Sequence, residues 1–192
     1  NHNINHDEIL IAPSWNNNMK NFINENFIEL IDILIKKDYK VTFRPHPEHF
    51  KRSKKLLLNM ENKFSKNNFL LDFNSNNIQS MEKAKCLITD SSGIAIEYLI
   101  VMKRPILYLN EHEKIHNAEF NNFSNTKTID HKIKEKFGYL FQRQDFNSME
   151  FIINDSQQML FKKIPELEEF INENYFNFGN TKNYFISNFK NI

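Results

Sequence analysis

Short apolar runs recur along the chain, each long enough for a strand and too short for a core helix: "EILIAPSW", "YKVTFRPHP", "FLLDF", "CLITD" and "PILYLN". The first places its strand at Glu8 to Pro13. Between the runs lie stretches with helical periodicity. Asn17 to Lys37 carries Met19, Phe22, Ile23, Phe27, Leu30, Ile31 and Leu34 on one stripe. Phe50 to Phe64 reads as a basic amphipathic helix and Ile78 to Ala84 as a short one. Gly93 to Lys103 is apolar nearly all round, which predicts a buried helix. "CLITD" is apolar on both faces, as a central parallel strand must be. This alternation points to right-handed βαβ units in a Rossmann-like, doubly wound parallel sheet of the α/β class.

The expected organisation is a single domain over 1–192, with an α/β core at 8–145 and C-terminal helices at 149–192. "GYLFQ" is a candidate sixth strand. Pro165 is expected to divide a helix at Met149 to Ile164 from another at Pro165 to Phe176. "NTKNYFISNF" is expected to form a terminal helix packing back on the sheet. The chain begins "NHNINHDE", without methionine, and is read as a piece of a longer protein.

Bulk properties exclude several classes. A net charge of +1 supplies no electrostatic basis for a nucleic-acid partner. One cysteine rules out an internal disulfide framework and a multi-cysteine zinc site, and Cys86, opening an apolar run, reads as a small buried side chain. No apolar stretch approaches the roughly 20 residues that span a bilayer.

In open α/β sheets ligands bind beyond the carboxyl ends of the strands. Three polar clusters fall there: Ser14-Trp15, Arg44-Pro45-His46-Pro47 and Asp90-Ser91-Ser92-Gly93. A helix starting near Ser92 presents unpaired amides and partial positive charge, Gly93 leaves room for a ligand, and the serine hydroxyls add donors, as a phosphate or diphosphate requires. Helix capping by Asp90 or Ser91 is the structural alternative. Glu97, one turn on, is suited to a ribose diol or to an ion pair with Arg104 or Lys103. Arg44 offers a planar fork for phosphate oxygens, and His46, between two prolines, a donor or proton shuttle.

"RPHP", followed by "LITDSSG", "EYL" and "KRPILYL", resembles the CDP-glycerol glycerophosphotransferase family, the teichoic-acid polymerase-like enzymes, over roughly Ile9 to Asn110. The resemblance implies the C-terminal, donor-binding half of a GT-B-like fold. It implies that His46 and Arg44 face the donor diphosphate, Ser91 and Ser92 hold phosphate, and Glu97 meets the ribose. It also implies a CDP-glycerol or other nucleotide-activated donor as substrate with no separate cofactor, and a polysaccharide or lipid-linked acceptor. An N-terminal GT-B-like domain would supply the general base. The implied location is the cytoplasm, with a peripheral position at the inner membrane face left open. "TDSSG" with a following glutamate is also similar to UDP-N-acetylglucosamine 2-epimerases, and "RPHP" to capsule-type sugar transferases. Those alternatives stay open, as does a non-catalytic nucleotide-binding or interaction module.

"HEKIH" (His112, Glu113, His116) satisfies the H-E-x-x-H zinc pattern, with Glu119, His131 or Glu135 as conceivable third ligands. Its neighbours give no apolar stripe to seat a core helix, so a solvated loop is expected there. "KRSKKLL" reads as a solvated helix face, with contact to anionic phospholipid as the alternative.

Overall fold

A computed structural model describes residues 7–15, 25–64, 68–109 and 127–189. Six strands form one sheet: β1 (Glu8–Ile11), β2 (Lys40–Phe43), β3 (Phe69–Leu71), β4 (Cys86–Thr89), β5 (Ile106–Leu109) and β6 (Gly138–Phe141). All neighbours pair in parallel, in the order β3-β2-β1-β4-β5-β6. This is the expected doubly wound sheet, and "GYLFQ" supplies its sixth strand.

The period-two pattern of each strand sorts side chains into two layers. Ile9, Ile11, Val41, Phe43 and Ile88 pack with Phe27, Leu30, Ile31 and Leu34 of α1 (Glu25–Lys36) and with Leu57, Met60 and Phe64 of α3 (Lys54–Phe64). Leu10, Leu87, Ile106 and Tyr108 face the other way. They meet Met81 of α4 (Ile78–Lys83), Ala95, Tyr98 and Leu99 of α5 (Ile94–Met102), and Ile133 and Phe137 of α6 (Ile129–Phe137). A 3-10 helix at Arg143–Ser148 leads into α7 (Met149–Asn174). This last helix serves both layers, with Met149, Ile152 and Ile153 in the first and Leu160, Leu167, Phe170 and Ile171 in the second. Cys86 is fully buried, and burial pushes its thiol up to about 12, which leaves no thiolate for chemistry near neutral pH.

Four local expectations are corrected. Phe50 to Phe64 is two helices, α2 (Pro47–Arg52) and α3, because Ser53 leaves helical geometry at φ −127°. Pro165 lies inside α7. It removes one backbone donor, yet Leu160 before it and Leu167 after it are buried in the same core, and their packing carries the helix across. The terminal helix exists as α8 (Thr181–Phe189), but Thr181 to Asn188 are all exposed. The sheet layer it was expected to cover is already filled by the end of α7, and Asn177 (φ 52°) and Gly179 (φ 77°) turn the chain between the two helices. Finally, α5 is not buried all round, since Glu97 and Val101 are exposed. Among the described residues, no helix is long and apolar enough to cross a membrane.

Candidate functional site

The strand order reverses between β1 and β4. The chain builds β1, β2 and β3 to one side, then crosses back to place β4, β5 and β6 on the other. Connections diverge at such a point and leave a crevice beyond the strand ends. The ends of β2, β1 and β4 are adjacent there, so the three polar clusters converge. Strand spacing puts the β2 and β4 ends about 10 Å apart, with β1 between them.

The tightest link in the crevice joins β1 to β4. Asp90 Oδ1 accepts from the Ser14 amide at 2.8 Å, and Oδ2 accepts from the Ser14 hydroxyl at 2.7 Å. Both residues are buried. Thr89 adds to the clamp by donating its hydroxyl to the Ala12 carbonyl at 2.7 Å. Asp90 therefore spends its carboxylate on the neighbouring strand end and does not cap α5. Gly93 at the helix entrance has no side-chain cap. The first turn closes through Ala95 N to Ser92 O (3.0 Å) and Ile96 N to Gly93 O (3.1 Å). Ser91 and Ser92 are half-buried and Gly93 is exposed; a Cβ on Gly93 would meet nothing within 4 Å. The mouth of α5 is thus an open, hydroxyl-flanked helix start.

On the β2 side, Pro47 occupies the first turn of α2, and the Nδ1 of His46 accepts from the Glu48 amide at 3.2 Å. That bond leaves the imidazole proton on Nε2, a donor on an exposed side chain. Arg44 behaves differently from expectation. Its Nη1 donates to Asp72 Oδ2 at 2.6 Å and its Nη2 to the Asn74 carbonyl at 2.6 Å. Asp72 is buried and also accepts from the Ser80 hydroxyl and from the Asn74 amide at 2.9 Å. Burial alone would raise the Asp72 pKa, but Ser80, Asn74 and Arg44 together hold it below the usual carboxylate range. The guanidinium fork braces the ends of β2 and β3.

Trp15 is half-buried, with the His49 ring edge-on at 4.9 Å and the Arg52 guanidinium 5.8 Å from its centroid. Glu97 accepts from Asn77 Nδ2 at 2.8 Å. Neither expected ion partner reaches it: Arg104 donates to the Glu82 and Ala84 carbonyls at 2.7 and 2.6 Å, and Lys103 pairs with Glu168. Glu97 instead edges a cavity of about 450 Å³ between α4 and α5, lined also by Asn77, Ile78, Met81, Val101 and Arg104.

Asp72 and His49 escaped the sequence reading. Asp72 closes the run "FLLD", the same strand-end acid signal that singled out Asp90. His49 sits inside α2, where nothing in the sequence marks which helix face is buried. His112, Glu113, His116 and Glu119 of the zinc-like pattern lie outside the described residues. His131 and Glu135 pair with each other at 3.3 Å, and among the described residues no group of three metal-ligating side chains forms.

A six-stranded parallel sheet with a crevice at its switch point defines the class: a Rossmann-like, doubly wound α/β domain. Solved structures with this fold include a histidine-to-alanine variant of the Wall Teichoic Acid Polymerase TagF, with TM-score 0.55, 17% identity, and coverage of 85% of this chain and 38% of that one. TarM gives TM-score 0.51 at 16% identity over 93% of this chain and 34% of its own. Spinosyn Rhamnosyltransferase SpnG gives 0.52 at 12% identity over 85% and 42%. The chain belongs to the CDP-Glycerol:Poly(glycerophosphate) glycerophosphotransferase family, whose model matches residues 1–159. It spans less than half the length of the solved structures it resembles. No curated protein matches it in sequence.

Proposed function

We propose that this chain is the donor-binding half of a glycerophosphotransferase that moves glycerol phosphate from CDP-glycerol to a wall or capsule polymer. The observation that carries the reading is the uncapped mouth of α5, held open beside the β2 end by the Ser14–Asp90 clamp. A diphosphate takes up the free amides of the helix start and the hydroxyls of Ser91 and Ser92. The exposed Nε2–H of His46 donates from the opposite wall to the transferring phosphoryl group or the departing CMP. The nucleoside lies in the α4–α5 cavity, its base against Ile78 and Met81 and its ribose diol on Glu97, which exchanges its bond from Asn77 for bonds from the sugar.

In the reaction an acceptor hydroxyl oxygen bonds to the β-phosphorus as the bridging P–O bond to CMP breaks. The hydroxyl proton passes to a base on an N-terminal GT-B-like domain facing this one. Arg44 serves by fixing the strand ends that carry His46, and Trp15 and Pro47 wall the crevice. The donor arrives activated, so the reading requires no resident cofactor.

Calorimetric titration of the 192-residue chain with CDP-glycerol, CDP, CMP and UDP tests this. CDP should bind, and Ser91→Ala with Ser92→Ala should weaken it about 100-fold, about tenfold for each charge-assisted bond. Equal or tighter binding of UDP would move the assignment to a nucleotide-sugar enzyme. Failure of every nucleotide to bind would refute it.

A further inference from the structure

His49 is 1% exposed, yet it lies one turn beyond His46 on a short helix whose other polar residues face solvent. Its Nε2 sits 3.4 Å from the Ser14 carbonyl oxygen, and its ring meets Trp15 edge-on at an interplanar angle of 81°. Its Nδ1 is buried and has no hydrogen-bond partner among the described residues. A carbonyl oxygen can only accept, so the Nε2 facing it carries the proton and Nδ1 is left as a lone-pair acceptor. Ser14 in turn gives both its amide and its hydroxyl to Asp90. A chain of contacts therefore runs from α2 through His49 and Ser14 to Asp90, the residue that leads into the mouth of α5.

We propose that His49 is a positioning residue of the crevice: a neutral imidazole that donates its Nε2 proton to the Ser14 carbonyl and packs against Trp15. It thereby holds the β1 turn against Asp90 with the helix mouth open. A buried histidine in a purely packing role would be replaceable by an apolar side chain of similar size. This one is bound to its place by a donor, and a leucine would leave the Ser14 carbonyl buried without its proton. Burial holds the imidazole neutral, with its pKa below the ordinary histidine value. Among the described residues, the charged or titratable groups around it are His46, Glu48 and Arg52 at the start of and along its own helix and Asp90 at the β4 end; the described β1 end contributes none. The proposal rests on the donor-binding reading only for its consequence, not for its geometry.

Trp15 is the only tryptophan in the chain, so its emission reports this contact without any ligand. Emission should be quenched on acidification with a midpoint below about 6.5. The transition should persist in His46→Ala and vanish in both His49→Gln and His49→Leu. In parallel, CDP titrations of the same proteins separate the donor from the ring: the glutamine amide restores an N–H toward Ser14 and the leucine does not. His49→Gln should bind within about threefold of wild type and His49→Leu about tenfold more weakly. A transition untouched by His49 substitution, or equal CDP affinity in His49→Leu and wild type, would overturn the proposal. If wild type binds no nucleotide while the emission transition depends on His49, the donor reading falls and the positioning of the turn stands.

Discussion

Replacing Asp90 by alanine removes the acceptor of two buried hydrogen bonds at once, from the Ser14 amide at 2.8 Å and the Ser14 hydroxyl at 2.7 Å. Each bond to a charged acceptor is worth about 1.5–3 kcal/mol, and water entering the gap recovers part of that. A net cost of about 3 kcal/mol follows, which lowers Tm by about 10 °C for a domain of this size. Ser14→Ala removes only the hydroxyl and should cost about 1.5 kcal/mol. Because the two side chains share a bond, the double variant should be less destabilised than the sum of the singles by about 1 kcal/mol. Thermal and urea unfolding of the four proteins measure the cycle. An aspartate acting only as a helix cap would cost about 1 kcal/mol and show no coupling to Ser14. Additive single effects, or a Tm within about 3 °C of wild type for Asp90→Ala, would refute the clamp.

Two glycines should respond oppositely. A Cβ at Gly138 would lie 2.6 Å from the Lys134 carbonyl oxygen and 2.6 Å from the Tyr108 ring, so Gly138→Ala should cost about 2 kcal/mol in urea unfolding, whereas Gly93→Ala, with open space and φ −58°, should stay within about 1 kcal/mol. On acidification, stability should first fall as pH drops below about 6.5, because unfolded histidine binds a proton that buried His49 refuses; the contribution of Asp72, present above the unfolded carboxylate pKa, is lost only as pH falls further through its lowered folded value. Urea midpoints across pH 3–8 should resolve the two steps, and His49→Gln should abolish the first alone.

The sheet was legible because its signals are local. Runs such as "CLIT" and "ILYL" are buried at every position, and only a parallel strand covered on both faces demands that. Topology then brought Ser14, His46 and Asp90 to adjacent strand ends without any knowledge of distance. What stayed hidden depended on partners remote in sequence. Arg44 reads as a phosphate ligand until Asp72, 28 residues on, takes its fork. Glu97 reads as a buried charge until α5 turns out to leave one face in solvent. Pro165 reads as a helix stop by its own chemistry, and tertiary packing on both sides overrides it. α8 reads as a core helix from its aromatics alone, and its exposure follows from where α7 already lies.

The sheet order has a consequence for the chain as it leaves the ribosome. The edge that β1 offers to β4 is a row of unpaired backbone N–H and C=O groups on an apolar strand, and its partner is encoded 77 residues later, at Cys86 to Ile88. At ordinary elongation rates that edge waits on the order of ten seconds for cover. β2 arrives sooner but guards only the opposite side. Nascent β1 is therefore an unsatisfied template through much of this sheet's synthesis, open to a chaperone or a second nascent copy.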